Sequence, residues 1–438
     1  MDGHNPRITT IHLDDVGRAL VRADIKRYLR VELRSVAPTD EQVKQLVDRT
    51  DIMFSCAALF VRFILLEDLR SRSSQRLELV LSMIFESTNK HAYIDALYAI
   101  ILRTVLNECE DEQGKPDNVS GVLWTVLFSQ DAIRIETSAT LSGIDDPEQV
   151  KSALHPLQPV IFYSEQSELV STLDTSFPEF MLSRERSGAF FFDIAEHSRL
   201  IVEWCFEVVK SELRFNICAL ESSFVANRDV EDLDDLIKQH ISLTLAYVCR
   251  HWANHLELAA RSDQLMERLE EFVGRRLLFW MEVMNVERDM QLRIVALMEA
   301  NQWVKVVGSD SLELAVLVAD AYDFMTRYSV SPISQSTAQI YISVLPFCPQ
   351  SIKVYQRYQK RMLGVFDANG SMMGYRKMAA LASPKLIISS NIIELSPYGC
   401  RLVTGYLGGT VDIRDTYDGT LLVGPLPYTA CYLGRVVT

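Results

Sequence analysis

Apolar residues spaced three and four positions apart fill most of the first quarter of the chain and predict helices. An α-helix brings positions with this spacing onto one face, so residues 20–112 are predicted to form a helical domain. The stripes comprise Val43, Leu46, Val47, Thr50, Met53, Ala57, Val61 and Ile64, then Leu77, Val80, Leu81 and Ile84, then Tyr93, Leu97, Ile100, Ile101 and Val105.

The pattern changes over residues 118–187, where short helices precede two β-like runs. Residues 135–141 have the pattern of a short helix, and a second helix is predicted from Asp145 to Leu157, because acidic residues and proline favour the first turn of a helix. Apolar runs at 160–163 and 169–173 then predict a β-hairpin. Helices followed by a short hairpin are typical of a winged-helix domain.

Winged helices often bind DNA through their second helix, and the residues here argue against that use. Lys151 lies in the predicted second helix, but Asp145, Asp146 and Glu148 lie around it. A segment of this charge repels phosphate groups, so a structural or regulatory module is favoured over DNA binding.

Residues 188–330 return to helical spacing and predict a second helical domain. Its stripes comprise Leu200, Val202, Phe206, Val209 and Leu213, then Leu233, Leu236, Ile237, Thr244, Tyr247 and Val248, with further stripes over 265–279 and 312–325. An acidic run (Asp229, Glu231, Asp232, Asp234 and Asp235) lies at the start of the second stripe. The simplest interpretation is a solvated helix start, where the helix dipole favours negative charge.

After Ser329 the sequence predicts a linker over 331–385 that contains a strand at 340–345. Four short β-like runs follow at 392–395, 402–406, 410–414 and 421–423, and turn residues at 396–399, 407–409 and 417–419 separate them. Four strands with tight turns form one blade of a β-propeller. Residues 386–438 are therefore predicted to be a partial blade, in an overall mainly α fold of helical bundles with an embedded winged helix.

Composition restricts the class of protein. The chain has 438 residues, of which 48% are hydrophobic and 23% charged, as in ordinary globular proteins of several domains. The net charge of -14 disfavours nucleic acid and anionic membranes as partners. The eight cysteines include no C-x-x-C pair, which indicates reduced thiols and a cytoplasmic location. Charged residues among the first thirty positions argue against a signal peptide.

The most apolar stretch, residues 53–66, is shorter than a membrane span and contains Arg62. It therefore predicts a core helix.

Several segments resemble one family, in order along the chain. Residues 395–405 (LSPYGCRLVTG) resemble the turn and strand of a WD repeat, and residues 411–415 lie where that repeat has a strand ending in Trp-Asp, with Arg414 in place of the Trp. Residues 340–345, Tyr355, Tyr358 and residues 376–381 are similar to the junction before the propeller of fungal NACHT–WD proteins. Residues 49–64 resemble the helix that follows their nucleotide-binding core. Residues 173–182 resemble the element that closes their winged helix, and residues 213–220 and 247–256 resemble two later helical signatures.

The chain thus resembles the C-terminal part of a fungal NACHT domain and WD-repeat protein of the STAND class of signalling ATPases. The resemblance implies a lid-like domain at 20–112, a winged helix at 118–187, a helical domain at 188–330 and about one WD repeat. In that class these parts relay the nucleotide state, and the propeller senses a ligand or partner.

Two departures from the family bear on function. No G-x-x-x-x-G-K-[ST] occurs in the sequence, so no loop is present to hold phosphates or Mg²⁺, and neither ATP hydrolysis nor a cofactor is expected. The winged-helix histidine that the family is thought to use in nucleotide sensing corresponds to Asp174, whose charge would repel a phosphate.

Other chemistry is weakly indicated. His251 and His255 share a helix face at a spacing that can hold a metal, but they fall on an apolar stripe and are interpreted as hydrogen-bonded core residues. His197 and Cys205 also share a face, yet Cys205 lies between Trp204 and Phe206, which predicts a buried, unreactive thiol. The run 190–192 of three phenylalanines predicts core rather than a binding platform. No catalytic, cofactor-binding or metal-binding residue is therefore predicted.

The sequence favours a non-catalytic regulatory or protein-interaction fragment whose partners are proteins, including full-length NACHT relatives or a second copy. Two alternatives remain open, namely an independent helical scaffold and a winged-helix DNA-binding protein. A single blade leaves unpaired strand edges, so residues 386–438 are expected to be poorly ordered alone or to pair with another chain.

Overall fold

The protein is described from a computed structural model. The structure describes residues 17–50, 53–66, 73–82, 92–110, 115–223, 225–305, 312–346, 348–359, 390–395, 401–406, 410–415 and 421–427. The fold is mainly α with two small antiparallel sheets, as the sequence predicts. Two compact units are present: unit 1 comprises Met1–Trp204 with Leu258–Ala260, and unit 2 comprises Cys205–Glu257 with Arg261–Thr438.

Five helices precede the winged helix in unit 1: α1 (Arg18–Glu32), α2 (Asp40–Arg49), α3 (Phe54–Leu65), α4 (Ser73–Leu81) and α5 (Ala92–Glu110). Thr39 and Gln42 form a reciprocal capping box at the start of α2. Residues 56–64 supply much of the core, including the buried Phe60 and Phe63, which confirms the core helix predicted over 53–66.

Two arginines bind the carbonyl groups at helix C-termini. Arg49, the last residue of α2, donates to the carbonyl oxygens of Val80 (3.1 Å) and Leu81 (2.6 Å) at the end of α4. Arg76 in α4 is buried and donates to the carbonyl oxygens of Ile64 and Leu66 at the end of α3. Positive charge is favourable at a helix C-terminus, so these contacts stabilise the last turns of α3 and α4.

The next elements have the order and pairing of a winged helix: α6 (Lys115–Phe128), β1 (Ile133–Arg134), α7 (Ile135–Ser142), α8 (Pro147–Leu154), β2 (Ile161–Ser164) and β3 (Leu169–Thr172). The sheet order is β1-β3-β2, and all pairs are antiparallel. Asp146 caps α8, and Pro147 is its first residue. The two predicted helices and the predicted hairpin are confirmed.

Three helices follow the wing: α9 (Ser176–Leu182), α10 (Arg184–Ser187) and α11 (Ile194–Glu212). The division between the two units falls within α11. Of the three consecutive phenylalanines, Phe192 is buried against Trp124 and Phe128, and Arg184 lies over the ring of Phe191.

The described part of unit 2 has seven further α-helices: α12 (Leu233–His240), α13 (Leu243–Leu258), α14 (Asp263–Arg275), α15 (Leu277–Val286), α16 (Met290–Lys305), α17 (Leu312–Ser329) and α18 (Lys353–Tyr358). Phe206, Trp252, Phe272 and Trp280 form an aromatic cluster in its core. The indole nitrogen of Trp280 donates to the Cys249 carbonyl at 2.8 Å. The acidic run is exposed around the start of α12, in accordance with a solvated helix start.

The strand predicted at 340–345 is wrong, because this segment forms a π-helix, Ile340–Val344. The Leu345 N–H donates to the Ile340 carbonyl, five residues earlier, at 3.0 Å. A short apolar run is compatible with a strand or with a helical segment, and the tertiary contacts around it determine which one forms. Residues 331–359, within the predicted linker, also include a 3-10 helix (Pro332–Gln335) and α18, and the Tyr358 hydroxyl forms buried hydrogen bonds with unit 2 helices. Residues 360–385 of that linker lie outside the described part of the chain.

The C-terminal strands are β4 (Ser390–Leu395), β5 (Arg401–Tyr406), β6 (Thr410–Asp415) and β7 (Leu421–Pro427). They pair in sequence order as an antiparallel sheet, so the four predicted strands are confirmed. The three predicted turns lie outside the described residues.

Candidate functional site

The exposed surface of the winged helix is acidic where a DNA-binding domain needs positive charge. The Lys151 ammonium lies 2.7 Å from a Glu148 carboxylate oxygen and 3.8 Å from a Glu168 carboxylate oxygen. Asp145 and Asp146 are exposed at the start of the same helix. The one cation of α8 is therefore paired with carboxylates, and this surface does not favour a phosphate backbone.

Asp174 has a local structural role. Its carboxylate accepts a hydrogen bond from the Ser176 N–H at 2.9 Å, and its carbonyl accepts one from Phe177 N–H. A carboxylate stabilises the first turn of a helix in this way. Asp174 thus binds the first N–H of the short helix α9, whose N-cap residue is Thr175.

A buried tyrosine and an ion pair join α5 to the helices that follow the wing. The Tyr98 hydroxyl lies 2.8 Å from the Ser176 hydroxyl, and its ring packs against Phe177 and Phe180, with centroids 4.9 and 5.4 Å away. Burial raises the pKa of Tyr98 to about 12, so the hydroxyl stays protonated at neutral pH.

The ion pair is formed by Arg186 on α10 and Asp95 on α5. The Arg186 Nη2 donates to Asp95 Oδ1 at 2.7 Å, and Nε donates to Oδ2 at 3.1 Å, so the pair is bidentate. Both side chains are mostly buried, at 19% and 12% exposure. The hydrogen bond to Asp95 raises the pKa of Arg186. We call Asp95, Tyr98, Ser176 and Arg186 the α5 latch.

Sequence reasoning missed the α5 latch, because Tyr98 and Ser176 are 78 residues apart and Asp95 and Arg186 are 91 residues apart. The available signal was weak. Asp95 and Tyr98 lie one turn apart, close to the Tyr93–Val105 stripe, which places a carboxylate beside a core-facing helix surface.

The two histidines of α13 are buried core residues. His255 is 1% exposed and its Nε2 lies 3.0 Å from the Tyr247 hydroxyl. Burial lowers the pKa of His255 to about 3, with a smaller contribution from His251, so the imidazole is neutral at physiological pH. Within the described ranges, no group of three His, Cys, Asp or Glu side chains is arranged to hold a metal ion.

Cys205 and His197 lie in unlike surroundings. Cys205 is fully buried, and burial raises the pKa of its thiol, which suppresses the nucleophilic thiolate. His197 packs against the rings of Phe192 (3.9 Å between centroids) and Trp124 (5.4 Å), and burial lowers its pKa. The arrangement favours packing over nucleophilic catalysis.

A buried carboxylate organises the core of unit 2. The Glu282 side chain, 3% exposed, accepts hydrogen bonds from the Ile217 N–H at 3.2 Å and from the Tyr341 hydroxyl. Burial raises the pKa of Glu282 to about 7, against the smaller opposing effect of these hydrogen bonds. Nearby, Thr337 bonds to both Asn227 and Asn285 at 2.9 Å.

No protein-family model matches the sequence, and no curated protein matches it. Among the described helices, none combines the length and the apolar character that crossing a bilayer requires. The residues of the α5 latch are therefore interpreted from their geometry alone.

Proposed function

We propose that the chain is a non-catalytic regulatory or protein-interaction fragment that resembles the nucleotide-state relay of a STAND signalling ATPase. The observation that carries the proposal is the α5 latch, which joins the segment after the wing to α5 of unit 1 through one part-buried hydroxyl pair and one bidentate ion pair. Contacts of this kind have two discrete states, formed or broken, which a relay requires.

Three further features support the proposal. The winged-helix topology lies between two helical regions, in the order of the family. The C-terminal sheet is a four-stranded antiparallel meander, as in one WD repeat. Residues 1–438 contain no phosphate-binding loop, so in a relay role the nucleotide is held outside these residues.

The test is co-purification of this chain with a co-expressed full-length NACHT–WD protein that has a P-loop. We expect retention that differs severalfold between ADP and a non-hydrolysable ATP analogue, whereas the chain alone hydrolyses no ATP. Equal retention with both nucleotides would contradict a relay role. No retention with either nucleotide would favour the independent helical scaffold.

DNA binding predicts a different result. A winged helix that uses α8 binds duplex DNA with an affinity that falls steeply with salt and falls further in Lys151→Glu. We expect no such affinity at physiological salt, because Lys151 is already paired with Glu148 and Glu168.

A further inference from the structure

Helix α1 presents a face that the described residues of unit 1 leave exposed. Ile25 and Leu29 of α1, and Leu33 of the 3-10 turn that continues it (Leu33–Ser35), are buried and set the inward side of the helix. Leu20, Arg27 and Val31 of α1 follow one another at intervals of seven and four residues, which places them along the opposite side, and Arg34 of the 3-10 turn follows three residues later. All four are exposed, and Leu20 and Val31 are 65% and 58% exposed.

The charge of this helix is opposite to that of the protein. From Arg18 to Ser35 the chain carries six cations (Arg18, Arg22, Lys26, Arg27, Arg30 and Arg34) and two acids (Asp24 and Glu32), for a net charge of +4, whereas the whole chain carries -14. Arg22 and Arg30 form ion pairs with Asp48 and Asp40 of α2. Arg27 and Arg34 are exposed, and neither forms an ion pair with a described residue.

A further exposed apolar side chain lies on α3, where it contacts Tyr28 of α1. The Tyr28 ring lies edge-on to Phe54 of α3, with 6.2 Å between centroids, and Phe54 is 47% exposed. Leu20, Val31 and Phe54 are large exposed apolar side chains, and Leu20 and Val31 lie on the same side of the helix as Arg27 and Arg34. We call these five residues the α1 face. Exposed apolar side chains flanked by charges of one sign are a combination that suits a protein partner.

We propose that the α1 face binds an acidic amphipathic helix of another protein. The apolar ridge of such a helix would cover Leu20, Val31 and Phe54, and its flanking carboxylates would pair with Arg27 and Arg34. The inference does not rest on the proposed function, because it uses only the charge and exposure of α1 and α3.

The neighbouring charges favour a protein partner over a polyanion. Asp24 and Glu32 lie on the same helix as the cations, and the net charge of -14 repels a long phosphate backbone or an anionic bilayer. A single helix with a few carboxylates encounters mainly the local positive charge, and its leucines bury apolar surface that nucleic acid would leave exposed.

The probe is a synthetic helical peptide of about three heptads, with leucine at the a and d positions and glutamate at e and g. A matched peptide carries lysine in place of glutamate. We expect the acidic peptide to bind the full chain with a Kd on the order of micromolar and the lysine peptide to show no binding. Binding should weaken about tenfold when salt rises to roughly 0.5 M, because the Debye length shortens.

Two double variants with matched controls test the contacts. Arg27→Glu/Arg34→Glu should weaken binding of the acidic peptide at least tenfold and permit the lysine peptide to bind. The control Arg228→Glu/Lys238→Glu makes the same change in net charge at exposed cations of unit 2 and should leave the affinities for both peptides unchanged. Leu20→Ser/Val31→Ser should weaken binding of the acidic peptide about as strongly as the arginine variant does. The control Leu243→Ser/Leu292→Ser changes two exposed leucines of unit 2 and should not weaken that binding. Circular dichroism checks that each variant is folded.

Other occupants are tested in the same titrations. Phosphatidylserine vesicles, a DNA duplex and a concentration series of the chain alone are measured with the same variants. If vesicles or DNA bind more tightly than the acidic peptide, the face belongs to that occupant and the proposal is overturned. The proposal is also overturned if the chain self-associates and Arg27→Glu/Arg34→Glu abolishes the self-association. Peptide binding that is equal in the wild type and both α1 variants would overturn it as well.

Discussion

The buried carboxyl of Glu282 makes the stability of unit 2 depend on pH in a direction that can be calculated. Its pKa rises from an ordinary 4.5 to about 7 in the folded protein. One pKa unit corresponds to about 1.4 kcal/mol, so the full shift is worth about 3 kcal/mol.

The folded state holds this proton more tightly than the unfolded state does. The favourable contribution is therefore complete below pH 4.5 and is lost as the pH rises through 7.

The perturbation is Glu282→Gln. The amide keeps both contacts, because its carbonyl oxygen can accept from the Ile217 N–H and its NH₂ can donate to the Tyr341 oxygen. It carries no charge at any pH. We expect the variant to gain about 3 kcal/mol relative to wild type at pH 8 and little at pH 4.5.

Other titrating groups change both proteins alike and cancel in the difference between them. His255 is the main one: its folded pKa of about 3 lies below the ordinary 6.5, so its contribution to stability is present above pH 6.5 and is lost as the pH falls. Glu313→Gln, at an exposed position of α17, is the matched control and should show no pH-dependent difference from wild type.

The assay is urea-dependent hydrogen exchange followed by mass spectrometry on peptides covering 213–220 and 277–286. Peptide resolution is needed because two units need not unfold in one transition. If the free energy of unfolding differs between wild type and Glu282→Gln by the same amount at pH 5 and at pH 8, the argument from the buried charge is refuted.

Four other predictions concern single contacts. Asp95→Ala should destabilise unit 1 by about 2 kcal/mol, because Arg186 is left mostly buried without its carboxylate; a change under a few tenths of a kcal/mol in urea unfolding would rule this out. Cys205 should resist a thiol reagent in the folded protein and react once urea unfolds it, as mass spectrometry of its peptide can determine, because the thiol is fully buried with a raised pKa; rapid native labelling would contradict this. Gly143→Ala should lower the melting temperature by a few degrees, since φ is +70° and the added Cβ would lie 2.8 Å from the Trp204 ring, whereas Gly121→Ala, with no atom closer than 3.8 Å, is the control. Amides over 391–423 should exchange rapidly in the isolated chain, because the outer edges of β4 and β7 have no strand partner among the described residues, and strong protection in a monomer would oppose that expectation.

Local pattern was enough to predict α7, α8, the β2–β3 hairpin and β4–β7. In each case a short run of apolar or acidic residues and its flanking turn residues determine the element. The same reasoning failed at 340–345, where a buried Ile340 and the bond from Leu345 favour a π-helix over a strand.

Contacts between distant residues could not be predicted from one sequence. Glu282 accepts from a backbone amide 65 residues away, and Arg186 pairs with a carboxylate 91 residues away. In the sequence, Glu282 and Arg186 look like ordinary surface charges. Only the fold shows that water is excluded from them. The pairing of Lys151 with Glu148, by contrast, is visible in the sequence, because the two residues are one helical turn apart.

The arginine contacts of α2 and α4 have a consequence for how unit 1 opens. Arg49 connects the end of α2 to the end of α4, and Arg76 within α4 connects to the end of α3. Each of the three helices therefore depends on the order of another. When α4 frays, Arg49 of α2 loses its acceptors and the carbonyl groups at the end of α3 lose their donor. The helices α2, α3 and α4 should behave as one cooperative folding unit and lose their amide protection at a single urea concentration.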